Sequence, residues 1–149
     1  MNRKIVLSLL AGVVMASTAS TAIAEKYLGN FCWQVVNENN QPFWKYNFGV
    51  YEKVGGHIAL YGTIEYPPNT NDISASHGNA IIVGNNIKVT IVSSDYEIAA
   101  GEVWSETFNA ILNATTLSGE WNALSLETND GITVRTVYQK GSMSPIPCP

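Results

Sequence analysis

Apolar and polar residues alternate with a period of two along most of the chain, the pattern of strands with one buried face. The alternation is clearest over 43–53, where Trp44, Tyr46, Phe48 and Val50 fall on one side and Lys45, Asn47 and Gly49 on the other. It recurs often enough to predict eight strands, over residues 29–36, 43–53, 57–66, 79–83, 87–93, 102–112, 117–127 and 132–139. No segment sustains a helical period, although 96–100 is compatible with one helical turn. Two strands need comment. In the seventh, Trp121, Ala123 and Ser125 compete with Leu124 and Leu126 for the interior. In the sixth, Glu106 shares a face with Trp104 and Phe108. An inward acid is costly unless paired. Glu106 is therefore a ligand contact, a partner of Arg135, or the sign of a bulge that shifts the register.

The connections order these strands. Gly55-Gly56 and Gly84-Asn85-Asn86 are tight hairpin signals, since glycine accepts the positive φ of primed turns, and Asp130-Gly131 is another. Strands joined in succession by short connections form an antiparallel meander. Eight can close into an up-and-down barrel, which removes exposed edges; a two-sheet sandwich is the alternative. Connections in a meander alternate between its two ends. The turns after strands two, four and six share one end, which reads as closed. The longer loops 67–78 and 94–101 share the other.

Composition sharpens the setting. Arg3 and Lys4, an apolar run from Ile5 to Met15 and Ala22-Ile23-Ala24 make a secretory signal peptide of bacterial style over 1–24. The expected mature domain is a single one, 25–149, and its expected location is the periplasm or outside the cell. Removing Arg3 and Lys4 leaves six basic residues against twelve acidic ones. No basic cluster remains, which argues against nucleic acid and anionic membranes as partners. Few outward apolar positions and a terminal Pro149 speak against an outer-membrane barrel. Cys32 and Cys148 are the two cysteines. In an oxidising compartment they are expected to pair, and free thiols are the alternative. Pairing would bring the first strand and the Pro-rich tail, 141–149, together at the closed end.

Gly29-Asn30-Phe31, with Trp33 close by, and Arg135 in the last strand complete a further pattern. An eight-stranded meander that begins Gly-x-aromatic and carries a late arginine resembles the calycin group, the lipocalin-like and avidin-like barrels. Phe31 stands where lipocalins have tryptophan. The resemblance implies a barrel whose floor is formed by Phe31 and Trp33, with Arg135 packed over them.

Catalytic and metal motifs are missing. His57 and His77 lie in no metal-ligand spacing; with Asp72 they are the best available set, and solvated turn histidines are the plainer reading. No serine sits in a nucleophile motif, and Glu102 with Glu106 is the one carboxylate pair worth noting. No cofactor is implied. The aromatics carry most of the information. An eight-stranded barrel either fills itself with side chains or holds one small ligand. The candidate ligand contacts are Trp44, Tyr46, Tyr66, Trp104, Glu106 and Phe108, with Trp44, Tyr66 and Trp104 forming the rim at the long-loop end. The leading expectation is a non-catalytic protein that binds a small apolar or aromatic ligand. The alternatives are a protein-interaction or inhibitor domain acting through loops 67–78 and 94–101, and an enzyme on a barrel scaffold.

Overall fold

The computed structural model describes residues 25–66, 73–97, 102–128 and 132–149, except the side chains of residues 96, 97 and 102. The expected signal peptide lies outside these residues. Eight strands follow one another: β1 (Lys26–Asn37), β2 (Pro42–Glu52), β3 (His57–Glu65), β4 (Ile73–Val83), β5 (Asn86–Glu97), β6 (Glu102–Asn113), β7 (Gly119–Thr128) and β8 (Val134–Ile146). Each pairs antiparallel with the next, and β8 returns to pair with β1, closing an up-and-down barrel. The sandwich alternative is thereby excluded. Among the described residues there is no helix, and Tyr96 and Glu97, expected in a helical turn, belong to β5.

The predicted faces hold on most strands. The inward rows include Trp33 and Val35 on β1, then Trp44, Tyr46, Phe48 and Val50 on β2. Phe108, Ala110 and Leu112 point inward from β6. The ambiguity on β7 resolves toward Trp121, Ala123 and Ser125, all nearly inaccessible, while Leu124 and Leu126 lie on the outer wall, each 49% exposed. The register of β6 runs without a shift, so Glu106 faces inward on a regular strand. A bulge is thus excluded as the reason for its place.

Three boundaries differ most from expectation. β4 begins at Ile73 rather than Asn79, because its first inward residues, Ser74, Ser76 and Gly78, are small or polar and carry no apolar alternation. β5 continues to Glu97 through Ser93 and Asp95 for the same reason. The loops expected over 67–78 and 94–101 shrink accordingly, and what remains, 67–72 and 98–101, lies outside the described residues. The third difference is at the end of the chain. β8 runs on to Ile146, so most of the expected tail is strand. Its first part pairs with β7, and Gly141–Ile146 pairs with β1 over Cys32–Asn37. Pro145 interrupts the alternation there, yet the segment closes the barrel.

Closure is enforced by small and hydrogen-bonding residues at the seams. Trp121 Nε1 donates to the carbonyls of Val36 at 2.9 Å and Ser142 at 3.1 Å, tying β7 to the β1–β8 junction. Gly62 on β3 sits so close to β2 that a Cβ would run into the Asn47 carbonyl. Cys32 and Cys148 are disulfide-bonded, with Cα atoms 5.3 Å apart across a separation of 116 residues. The bond lies at the end where the β2–β3, β4–β5 and β6–β7 turns gather.

Candidate functional site

A layer of aromatic rings crosses the middle of the barrel. Tyr46 meets Phe108 edge to face, with centroids 5.2 Å apart; Phe108 stacks on Trp121 at 5.2 Å; Trp44 reaches Trp121 at 5.4 Å. These residues come from β2, β6 and β7, whose inward alternation puts Trp44, Tyr46, Phe108 and Trp121 on the interior face. The layer separates two halves of the interior with opposite chemistry.

Toward the disulfide end the interior is apolar. A cavity of about 130 Å³ is lined by Phe31, Trp33, Phe48, Leu60, Val89, Met143 and further aliphatic side chains. The end expected to be plugged therefore holds a space. Phe31 and Trp33 are there, with rings stacked at 6.0 Å, and Trp33 Nε1 is anchored on the Leu117 carbonyl at 3.0 Å. Leu117 holds a positive φ of 56° in that turn.

Arg135 is not with them. It stands at the start of β8, opposite Glu127, and its guanidinium approaches that carboxylate at 3.6 Å. The β8 residue facing Trp33 is Pro145, ten positions further along. Arg135 therefore has no floor role: β8 starts at the loop end and reaches the disulfide end only after Gly141.

Toward the loop end the interior turns polar. One inward cross-strand row runs Ser76, Ser93, Glu106, Ser125 on β4, β5, β6 and β7, each directly opposite the next. All four are buried, Glu106 being 1% exposed. Ser125 Oγ donates to Glu106 Oε2 at 3.1 Å, and the Ser76 and Ser93 hydroxyls share a hydrogen bond of 2.6 Å. The next row outward carries Asp95, Trp104, Glu127 and Arg135. Asp95 accepts from Ser74 Oγ at 2.5 Å. Above the Glu106 row, Trp104 and Tyr66 make an edge-to-face pair at 5.6 Å, both half-buried.

Three buried polar atoms find no hydrogen-bond partner among the described residues: Trp44 Nε1, Tyr46 OH and Glu106 Oε1. Buried polar groups are nearly always paired, so three in one small region need a reason. The three lie close to one another without well-formed hydrogen bonds: the Tyr46 hydroxyl is near enough to Trp44, Ser93 and Glu106 to act on the two titrations as a hydrogen-bonding group. Burial pushes the Glu106 carboxyl up to about 7; the Ser125 donor and the nearby Tyr46 hydroxyl hold it back in part, and Glu127 adds to the rise. Tyr46 is pushed well above its usual value by burial first, then by Glu106 and Tyr66, while Trp44 and Ser93 offset some of this.

Of the expected contacts, the fold brings Trp44, Tyr46, Glu106 and Phe108 together in the interior, and Tyr66 with Trp104 at the rim. Trp44 is not a rim residue. It is 3% exposed and packed between Phe43 and Trp121, because strand stagger in a closed barrel carries this part of β2 to the middle layer. The partner for Glu106 is Ser125, not Arg135. The alternation leaves Trp121 undecided between the two faces and does not mark the Ser76–Ser93 pair or Asp95; counting back from the hairpin registers aligns the serines with Glu106. The histidines are exposed on the strands, Asp72 lies outside the described residues, and among those described no three metal-ligating side chains converge. The Glu102 side chain also lies outside them.

Comparison with protein families, with curated proteins and with solved structures returns no match.

Proposed function

We propose that this chain is an exported, calycin-like barrel that binds a small ligand with an aromatic or apolar body at its loop end, without covalent chemistry. Support for the barrel type is its eight-stranded up-and-down closure. Support for export is the disulfide, which persists in oxidising compartments, together with the signal-peptide pattern over 1–24. The observation that carries the binding function is the group of unpartnered buried polar atoms, Trp44 Nε1, Tyr46 OH and Glu106 Oε1, beneath the Tyr66–Trp104 pair. Ligand sites combine apolar walls with a few placed polar groups that set orientation. Burial of the ligand's body contributes roughly 25 cal/mol per Å² of apolar surface, and the polar atoms fix its direction.

Tryptophan fluorescence titration with fatty acids, haem and small aromatic compounds tests this reading. A saturable change with at least one class, weakened by Trp104→Ala, is the expected result. A flat response to every class removes the function.

A second reading, a protein-interaction domain, draws on the outer wall rather than on the long loops. Leu124 and Tyr138 stand opposite each other there, 49% and 65% exposed, with Leu126 beside them. Apolar outer positions of this kind are where a protein partner would be received.

A further inference from the structure

Glu106 is a buried acid with no counter-ion among the described residues. Beyond residue 24 the sequence holds six lysines and arginines: Lys26, Lys45, Lys53, Lys88, Arg135 and Lys140. Five of them are engaged elsewhere, with Glu52, Glu65, Glu25, Glu127 and Glu38 respectively for Lys26, Lys45, Lys53, Arg135 and Lys140. Lys88 is exposed, on the outward face of β5 toward the disulfide end. His57 and His77 are exposed as well. The connecting segments at the loop end add nothing, since 67–72, 98–101 and 129–131 contain no lysine, arginine or histidine.

The groups around Glu106 are therefore neutral or acidic on every side. β2 contributes Tyr46, and β5 contributes Ser93 and, one row outward, Asp95. β7 contributes Ser125 and Glu127, the latter held by Arg135 of β8. Tyr66 follows β3 at the rim. One carboxylate oxygen is used by Ser125; the other makes no well-formed hydrogen bond among the described residues, with the Tyr46 hydroxyl, itself unpaired there, standing near the carboxylate.

We propose that the ligand of this site carries a protonated amine, which pairs with Glu106 while its aromatic body rests against Tyr66 and Trp104. This rests on the ligand-binding reading above and names the ligand's chemistry. An ammonium supplies the missing positive charge and donates to the unpartnered oxygen. Aromatic faces add cation–π attraction in a desolvated site. A hard metal ion fits less well, because such ions gather several oxygens at close range and, among the described residues, no three metal-ligating side chains converge at Glu106. Binding of an ammonium requires the ionised acid, so complex formation releases a proton wherever Glu106 is protonated in the free protein. With Glu106 titrating near 7, amine affinity rises with pH through that value and then levels off.

The test is calorimetric titration of the purified protein with two matched pairs, 2-phenylethylamine against 2-phenylethanol and tryptamine against tryptophol, at pH 6.0, 7.0 and 8.0. The expected result is at least tenfold tighter binding of an amine than of its alcohol at pH 8.0, with the preference falling several-fold by pH 6.0. Glu106→Gln should bring amine and alcohol to within about twofold of each other. The pH series on the unmodified protein stands even where that variant folds poorly. Equal affinity of amine and alcohol, or a preference unchanged by pH, overturns the cationic ligand and leaves the binding function in place. Loss of all binding, including to the neutral compounds, overturns both.

Discussion

Ser125 and Glu106 face each other across β6 and β7, the serine hydroxyl donating to Glu106 Oε2 at 3.1 Å inside the barrel. Among the described residues it is the well-formed hydrogen bond to the buried acid, with the Tyr46 hydroxyl close by as a weaker donor. It favours the ionised carboxylate and opposes the burial that raises it. Replacing Ser125 by Ala should therefore move the Glu106 titration upward from about 7. Carboxyl ¹³C shifts of glutamate-labelled protein, followed from pH 4 to 9, read the change. An unchanged midpoint would show that the serine does not stabilise the charge. The cost in stability should be about 1 kcal/mol, the usual net worth of one hydrogen bond.

Glu106 also makes stability depend on pH, with a sign opposite to that of a salt-bridged acid. Its folded value, about 7, lies above the ordinary carboxylate value of 4.5. Between these two values the folded chain holds a proton that the unfolded chain has released. Stability from this group is thus full below about pH 4.5 and declines as pH rises toward 7, by about 3 kcal/mol at most. Glu106→Gln keeps the shape and removes the titration. Urea midpoints at pH 5 and pH 8 should show the variant gaining on the parent at the higher pH. Parallel pH profiles for the two proteins would refute the assignment.

The inner faces were legible in the sequence wherever they were apolar and illegible wherever they were polar. Trp44, Tyr46, Phe48 and Val50 announce β2, and Trp104, Phe108 and Leu112 announce β6, because alternating large side chains mark a buried strand face. The inward residues of β4 are Ser74, Ser76 and Gly78, which look like a loop. The polar half of the interior was hidden by the same residues that form it. Glu106 was visible as an anomaly, but its partner could not be read before the register of β7 was known. Arg135 went astray for a different reason. The pairing that closes the barrel uses Gly141–Ile146, a Pro-containing segment whose strand character comes from β1 rather than from its own pattern.

The disulfide ties that closing segment to the first strand. With a sequence separation of 116 between Cys32 and Cys148, loop-closure entropy gives a stabilisation of about 4–5 kcal/mol as an upper figure. Reduction, or the paired change Cys32→Ala and Cys148→Ala, should lower the urea midpoint by a corresponding amount. Because Ile146 stands opposite Cys32 in the ladder, the loss should also expose the β1–β8 seam to hydrogen exchange before the remaining strands. Exchange rates that rise uniformly around the barrel would contradict a local role for the bond.

The apolar cavity and the ring layer respond differently to added volume, which separates a hollow region from a packed one. Ala80 on β4 lines the apolar cavity of about 130 Å³. Ala80→Val places two methyl groups into that space on a strand, where β-branching is favourable, and should raise stability by about 0.5–2 kcal/mol. Ala123 on β7 is 1% exposed and stands opposite Phe108, in the aromatic layer. The same enlargement, Ala123→Val, forces rings already in contact to shift and should cost about 1–3 kcal/mol. Thermal melts of the two variants beside the parent decide the matter. Opposite signs follow from a cavity bounded by the ring layer, whereas a loss of stability in both would mean that the interior is filled from end to end.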